Sequence, residues 1–286
     1  MYRPIQQLSQ AQPATDGDGV ALFRNALFNG RLDPFLMLDE IKAAPEDSVG
    51  AFPIHPHRGI QTLSYLINGA MGHRDSMGNA STVRAGGLQW MHTGQGIEHG
   101  EIPQVDDQGL WGFQFWLNVP RAEKYQAPRY QDVSAEHLPW CPLCTDKVLL
   151  KVVAGTVQLN QQAYDSVFRE LSGTAALADV IWQDAESLEW HSSHSSAALY
   201  VLSGQVQLNE QTTVKPGQLV QLSNQNDLPL LIDGQSGSRV LIFSGEPIGE
   251  PIVHRGPFVM TTQQEIDQTL QAYRQGTLVP STNHSV

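Results

Sequence analysis

Three histidines and one glutamate, in two short motifs, are the residues of this sequence best suited to chemistry. His55 and His57 form an H-x-H pair, and His99 and Glu101 form an H-x-E pair. Side chains alternate between the two faces of a β-strand, so both members of each pair would point to the same side. If facing strands carried the pairs, three imidazoles and one carboxylate would meet at one point. That ligand set suits a divalent first-row transition metal.

The residues around the two pairs support this interpretation. Pro56 cannot donate a ladder hydrogen bond, which indicates an edge strand or a bulge. Gly94 and Gly96 allow the backbone to bend sharply before the second pair. A single histidine on a strand is usually an ordinary polar residue, whereas four ligating residues in two matched pairs favour a metal site.

Strand patterns dominate the chain. Short apolar or alternating runs recur between Gly, Pro and Asn residues, as in a β-sandwich or barrel. One alternating run predicts Phe113 and Phe115 on one face and Gln114 and Trp116 on the other. The predicted strands lie at 62–69, 112–118, 147–153, 176–182, 197–204, 218–222 and 239–245.

One helix is predicted near the C-terminus. Thr262 and Glu265 have the spacing of a capping box, which marks a helix start, and Gly276 is the expected stop. Apolar residues between them recur at helical spacing and predict a stripe that packs on a barrel: Ile266, Leu270 and Tyr273.

Two parts of the chain resemble each other. YLING at 65–69 matches YVLSG at 200–204, and VRAG at 83–86 matches VKPG at 214–217. In both copies a leucine follows the last glycine at the same distance. A long-period repeat of this kind indicates two similar β-domains in tandem. We therefore predict an all-β fold of two barrels, with the metal site at 1–133 and with the second barrel and the C-terminal helix at 145–286.

The composition argues against some partners. The net charge is −12 and the Lys and Arg residues are scattered, so direct binding to nucleic acid or to an anionic membrane is not expected. The first ten residues lack the apolar stretch of a signal peptide, and no run of 18 apolar residues predicts a membrane span. The expected location is the cytoplasm.

Several longer segments resemble the pirin family, a branch of the cupin superfamily with two cupin domains. The resemblance extends over almost the whole chain. Its motifs are RLDPFLMLDE at 31–40, HPHRGIQTLSYLINGAMGHRDSMGN from His55, GQGIEHGE ending at Glu101, FWLNVP at 115–120, GEPIGEP at 245–251 and GPFVM at 256–260.

The resemblance implies two tandem cupin-type, jelly-roll-like barrels. It implies that His55, His57, His99 and Glu101 are the metal ligands and that the metal is iron. Manganese, cobalt, nickel, copper and zinc also suit these ligands. Bacterial members often have quercetin 2,3-dioxygenase activity, which implies O₂ and a small aromatic or enediol substrate. Glu101 could stay a ligand or act as a catalytic general base.

This sequence departs from the general cupin pattern in two places. The glutamate that follows H-x-H in many cupins is replaced by Gln61, and Glu101 can supply the carboxylate instead. In the second barrel His191 and His194 are the nearest equivalents, but their spacing would place them on opposite faces of a strand. We therefore predict that the second barrel holds no metal.

The resemblance leaves two alternatives to a flavonol-cleaving enzyme. Pirins include proteins described as regulators, so the chain could be a non-enzymatic iron-binding protein that binds a protein partner through a redox-sensitive surface. It could also be a cupin enzyme with another substrate. An open cavity at the metal favours an enzyme, whereas a closed metal beside an exposed apolar patch favours a binding protein.

A few other residues could carry chemistry. Cys141 and Cys144 form a C-x-x-C motif without the helix or the further ligands of a redox or zinc site, so they are predicted to be inert, with redox or metal chemistry as the alternative. His73 precedes a hairpin and is predicted to be a polar surface residue. His92 is considered as a residue that could support the metal ligands.

Overall fold

The computed structural model of this chain describes residues 1–143 and 146–279. Within these ranges no helix has the length and hydropathy needed to cross a membrane. Two short 3₁₀ turns lie at Ala135–His137 and Ser172–Thr174. The other elements are β1 (Ile5–Gln10), β2 (Gln12–Asp16), β3 (Val20–Ala26), β4 (Phe35–Ala43), β5 (Phe52–His57), β6 (Ile60–Asn68), β7 (Ala70–Asp75), β8 (Ala80–Arg84), β9 (Leu88–His92), β10 (Ile97–Gln104), β11 (Leu110–Asn118), β12 (Arg129–Val133), β13 (Cys141–Pro142), β14 (Val148–Ala154), β15 (Thr156–Leu159), β16 (Gln162–Asp165), β17 (Ala176–Trp182), β18 (Glu186–His191), β19 (Ser196–Ser203), β20 (Val206–Leu208), β21 (Thr212–Val214), β22 (Gln218–Leu222), β23 (Leu230–Gly234), β24 (Arg239–Gly245), β25 (Val253–Arg255), β26 (Phe258–Met260) and α1 (Gln263–Arg274).

The elements form two compact units, which differ from the predicted ranges 1–133 and 145–286 at both chain ends. β1 belongs to the later unit because it pairs with β22. The helix belongs to the earlier unit because Ile266 packs with Phe258 and Met260 of β26. We name the units by their residues: the N-barrel is Pro13–Gly30, Phe35–Ala135 and the described chain from Ile248, and the C-barrel is the described part of Met1–Gln12, Arg31–Pro34 and Glu136–Pro247.

Each barrel contains a seven-stranded antiparallel sheet of the same design. The strand order is β12-β9-β6-β11-β4-β3-β2 in the N-barrel and β1-β22-β19-β24-β17-β14-β13 in the C-barrel. The repeated motifs occupy matching places, because Tyr65 lies opposite Leu88 and Tyr200 lies opposite Leu219. The shared order and register confirm the predicted duplication and the two-barrel, all-β fold.

The smaller sheet of each barrel also follows a shared plan. Its order is β5-β10-β7-β8 in the N-barrel and β16-β15-β18-β23-β20-β21 in the C-barrel. The strands β18 and β23 therefore correspond to β5 and β10, which carry the H-x-H and H-x-E pairs. In the C-barrel this strand pair contributes buried apolar side chains to the core: Leu188, Trp190, Leu230 and Ile232.

The strand predictions agree well with these elements. The runs at 176–182, 218–222 and 239–245 coincide with β17, β22 and β24 at both ends. In β11 the side chains alternate as predicted, since Phe113 and Phe115 are buried in the core while Gln114 and Trp116 are only partly buried on the other face. Period-two hydrophobicity is thus a sound guide where one face of a strand meets a core.

The helix begins as predicted, but its buried face is partly polar. Thr262 and Glu265 form the capping box, and Gly276 follows the helix with a φ of 67°. Ile266 is fully buried, whereas Tyr273 is 43% exposed, so the predicted apolar stripe is only partly correct. The Glu265 carboxylate accepts hydrogen bonds from Thr261 and from the Arg121 guanidinium.

These hydrogen bonds predict a pH-dependent contribution of Glu265 to stability. Burial alone would raise the pKa of Glu265, but hydrogen bonds from Thr261 and Arg121 lower it from 4.5 to about 2. A lowered carboxyl pKa stabilises the fold above the unfolded value, and that stability is lost as pH falls through the folded value. In thermal unfolding between pH 7 and pH 2, the melting temperature of the wild type should exceed that of Glu265→Gln at neutral pH and should approach it below pH 4.5. A constant difference across this range would contradict the prediction.

Candidate metal centre

The strand β10 lies between β5 and β7, and its register determines which side chains meet. His99 lies opposite His55 on one side and opposite Asp75 on the other, and Glu101 lies opposite His73. Directly opposed residues of an antiparallel pair point to the same face. Along β10 the residues alternate between buried and more exposed, with His99 and Glu101 on the buried face. One sheet face therefore carries all the candidate ligands and two further polar residues: His55, His57, His73, Asp75, His99 and Glu101.

The first histidine pair lies on an edge strand that is bulged. β5 is at the end of its sheet, and its register against β10 shifts between His99, which faces His55, and Glu101, which faces Phe52. One extra residue of β5 is therefore accommodated there. The edge position confirms what Pro56 predicted, because a proline lacks the donor that a second ladder would need.

The structure brings three of the predicted ligands into one group and the fourth into an overlapping group. Nitrogens of His55, His57 and His99 lie within 4.8 Å of one another. Glu101, His99 and His73 satisfy the same limit, so His99 belongs to both groups. The Nε2 atoms of His55 and His57 are only 3.0 Å apart.

The hydrogen bonds of the imidazoles show that this cluster fits a cation. His55 Nδ1 is 2.8 Å from the Pro53 carbonyl, and His57 Nδ1 is 3.4 Å from the Pro257 carbonyl. A carbonyl only accepts, so each Nδ1 carries the proton and each Nε2 presents a lone pair. The buried Nε2 of His99 has no hydrogen-bond partner among the described residues. Three lone pairs at close range repel one another, and a divalent metal bound between them would remove this repulsion.

Burial keeps the imidazoles in the form that binds metals. It lowers the pKa of His57 to about 3, with a further contribution from His55, and it lowers the pKa of His99 well below its usual value. Neutral imidazole is the ligand form of histidine. Burial also raises the pKa of Glu101. A buried carboxylate beside neutral rings is costly unless a cation compensates its charge.

Two side chains of β11 extend from the cluster into the site. Gln114 Nε2 donates to Glu101 Oε2 at 3.2 Å, and Trp116 Nε1 donates to Gln114 Oε1 at 3.3 Å. This chain of hydrogen bonds orients the Glu101 carboxylate. The Trp116 ring lies edge-on to His57, with ring centres 5.0 Å apart.

A cavity of about 900 Å³ opens beside the cluster, with His55, His57 and Glu101 in its wall. Three aromatic rings and a proline line one part of it: Phe28, Trp116, His254 and Pro257. The Phe28 and His254 rings stack with centres 4.0 Å apart.

Another part of the cavity wall is charged. The Arg24 guanidinium donates two hydrogen bonds to Asp39, at 2.8 and 2.6 Å, and a third to Asp16 at 2.8 Å. Its charge is therefore held between two carboxylates that belong to the same wall. This arrangement leaves the wall with an excess of acceptors for hydroxyl groups.

Comparison with known proteins gives a consistent result. Residues 23–117 match the pirin family, and residues 177–279 match the pirin C-terminal cupin domain. A Vibrio cholerae protein, provisionally named a quercetin 2,3-dioxygenase, is 39% identical over 282 residues, which cover 96% of this chain and 97% of the relative. This chain belongs to the pirin family. The resemblance found in the sequence is confirmed.

Solved structures share the fold of this pirin. A quercetin 2,3-dioxygenase from Acinetobacter baumannii superposes with a TM-score of 0.84 at 24% identity, covering 97% of this chain and 99% of that one. A bacterial pirin from Escherichia coli, in complex with nickel(II), has a TM-score of 0.60 at 19% identity, covering 84% of this chain and 99% of that one. At these identities the likeness establishes the two-barrel fold alone.

The structure corrects the prediction for His73. The His73 side chain is 1% exposed and lies in the cluster, whereas the sequence analysis placed it on the surface. The same period-two spacing that selected His99 and Glu101 is present in His73 and Asp75, and it could have selected them. His92 is also buried, but its Nε2 donates to the Glu123 carbonyl at 3.3 Å and it lies outside both ligand groups.

The remaining candidates lie in the C-barrel. Cys144 is outside the described residues. Cys141 lies in β13, and burial raises the pKa of its thiol. His191 ends β18, while His194 lies beyond that strand, where it hydrogen-bonds Ser244. The two histidines are thus separated by the end of the strand rather than by its two faces.

The geometry of this pirin predicts how it loads with metal. Purified protein, stripped and dialysed against a divalent transition metal, should retain one equivalent per chain by elemental analysis. His57→Ala should weaken binding at least about tenfold, because the metal loses one of its imidazole ligands. His191→Ala is the matched control and should bind like the wild type. Equal retention by His57→Ala and the wild type would contradict the assignment.

Proposed function

We propose that this pirin is a metal-dependent dioxygenase of the cupin type that can cleave flavonols. The observation that carries the proposal is the cluster of three imidazoles, two of which, His55 and His57, lie together with Glu101 in the wall of a cavity of about 900 Å³. Sites for small molecules occupy about 300–1,000 Å³. The name of the Vibrio cholerae relative supports the same activity.

The proposed ligands are His55, His57, His99 and Glu101, and the proposed metal is iron. Imidazole and carboxylate also accept manganese, cobalt, nickel, copper and zinc, so availability contributes to the choice. When bound, a divalent cation supplies Lewis acidity and stabilises the anion of an acidic enol. The protein must then bind the enol, receive its proton and exclude water.

The aromatic part of the cavity suits a flat substrate. Trp116 adjoins His57, and the stacked Phe28 and His254 rings lie in the same wall. Aromatic rings pack against such groups with offset-stacked or edge-to-face geometry. A flavonol packed there would place its enol near the imidazole cluster.

The charged part of the cavity suits a neutral substrate with hydroxyl groups. Asp16 and Asp39 each hydrogen-bond Arg24, and both keep carboxylate lone pairs that can accept phenolic hydroxyls. An organic acid would meet this excess of negative charge and bind less well. The wall thus favours polyphenols over carboxylates.

Glu101 is the proposed proton acceptor. Gln114 donates to one of its oxygens, and because a carboxylate has about four lone pairs, Glu101 can bind the metal and still receive the proton of the flavonol 3-hydroxyl. The overall reaction then consumes one O₂ per flavonol. The central ring opens, one carbon leaves as carbon monoxide, and the oxidised remainder is a phenolic ester, so that all atoms balance.

The cavity also distinguishes this proposal from a regulator that binds only protein partners. A regulator would be expected to have a closed metal site. Here His55, His57 and Glu101 reach an open cavity of small-molecule size. The geometry therefore favours an enzyme.

Activity of the reconstituted protein tests the proposal. Stripped protein restored with each candidate metal should consume O₂ and remove the flavonol absorbance band, with carbon monoxide as a product. Glu101→Gln should lower the rate at least about a hundredfold, because general acid–base catalysis typically contributes 10²–10⁴-fold.

Glu98→Gln is the matched control, because Glu98 lies on the same strand but off the buried face. It should retain full activity. A metal-loaded wild type that consumes no O₂ with any flavonol would refute flavonol cleavage, and full activity of Glu101→Gln would refute the role of Glu101.

A further inference from the structure

A second pair of buried polar residues lies directly behind His99. The side chains of His73 and Asp75 are 1% and 0% exposed, respectively. Both project from β7 on the same face, and in the ladder with β10 Asp75 is opposite His99 while His73 is opposite Glu101. We propose that Asp75 and His73 form a hydrogen-bond relay that positions His99 and directs its Nε2 lone pair at the metal. This rests on the metal centre of the proposed function and is independent of the substrate.

The relay begins at a carboxylate that is held as an acceptor. Asp75 Oδ1 accepts from the backbone amides of Met77 and Asn79 at 2.9 and 3.0 Å. Asp75 Oδ2 accepts from Asn79 Nδ2 at 2.8 Å and faces His73 Nε2 at 3.2 Å. An ionised carboxylate only accepts, so His73 Nε2 carries a proton and donates it to this hydrogen bond.

The protonation of His73 determines the protonation of His99. With its proton on Nε2, a neutral His73 presents a lone pair at Nδ1. That atom faces His99 Nδ1 at 3.4 Å, so His99 Nδ1 must be the donor. His99 Nε2 is then unprotonated, and it is the atom that has no hydrogen-bond partner among the described residues. The relay therefore accounts for the one ligand ring whose Nδ1 is not held by a backbone carbonyl.

The surroundings hold the relay in place. The Tyr130 ring stacks on His73 with ring centres 4.5 Å apart and an angle of 19°. Tyr130 is held in turn by a hydrogen bond of 2.5 Å between its hydroxyl and Ser81 Oγ. Because the His73 and Asp75 side chains are buried, water does not compete for these bonds. Partners of this kind fix the tautomer and the orientation of metal-ligating histidines.

Metal affinity gives a readout that does not depend on activity. Cobalt(II) is titrated into stripped wild type, His73→Phe, His73→Gln and His92→Gln, and binding is followed by calorimetry. His73→Phe keeps the stack on Tyr130 but removes the relay, and it should weaken binding about 10–100-fold. His73→Gln should restore most of the affinity, because its amide can accept from His99 and donate to Asp75. His92→Gln is the buried control and should bind like the wild type.

A direct ligand role for His73 makes a different prediction. If His73 itself held the ion, Gln would not replace it, and His73→Gln would lose as much affinity as His57→Ala. That result would overturn the relay, as would wild-type affinity in His73→Phe.

Nitrogen NMR of the metal-free wild type tests the relay without any variant. The ¹⁵N shifts should show His99 protonated at Nδ1 and bare at Nε2. A proton on Nε2 would overturn the proposal even if metal binds. If the wild type binds no cobalt but shows the expected tautomer, the proposed metal centre is refuted and the hydrogen-bond relay is supported. The two proposals can therefore be refuted separately.

Discussion

The site depends above all on the register of β10 between β5 and β7. A slip of one residue would turn His99 and Glu101 to the opposite face, away from His55 and His73. Two ladders hold β10, one on each side, so a slip would have to break both. His55 and His57 pair with β10 in regular register, and the bulge in β5 lies on the other side of His55, where Glu101 faces Phe52.

Comparison of the two barrels shows that the N-barrel buries polar side chains where the C-barrel buries apolar ones. The corresponding strands of the C-barrel carry Leu188, Trp190, Leu230 and Ile232, which are all buried in an apolar core. Each such side chain contributes about 1.5–3 kcal/mol when it is buried. In the N-barrel the same strands bury imidazoles and a carboxylate, whose desolvation opposes folding unless they are compensated. A bound cation would offset this cost and would couple metal binding to the stability of the N-barrel, whereas the C-barrel strands fill the same positions with apolar side chains.

The sequence allowed much of this to be predicted because the relevant signals are local. Period-two spacing selected His55, His57, His99 and Glu101 as residues that share a face, and the capping box placed the start of α1. Features that depend on long-range pairing escaped prediction. The spacing of His73 and Asp75 was a local signal, but the pairing of β7 with β10, which places both residues beside His99 and Glu101, is known only from the fold. The pairing of β1 with β22 leaves no local trace either.

The C-terminal segment of the N-barrel shows how a distant stretch of chain completes a local motif. The Pro257 carbonyl holds His57 Nδ1, and the backbone of Val259 donates to the Arg58 carbonyl at 3.1 Å, beside the H-x-H pair. Lys124 is fully buried, and its ammonium donates to the carbonyls of Gly59 and Val259, at 2.7 and 3.2 Å.

A buried ammonium is tolerated only where acceptors surround it, so Lys124 joins the segment after β5 to β26 at a fixed distance. The Pro257 carbonyl accepts from His57 Nδ1, so the tautomer of His57 is set by a residue 200 positions later in the chain. The H-x-H motif supplies the imidazoles, but the returning C-terminal segment determines which nitrogen of His57 is free to bind. The candidate centre is thus built from the H-x-H strand together with a C-terminal segment of the same barrel that is distant in sequence.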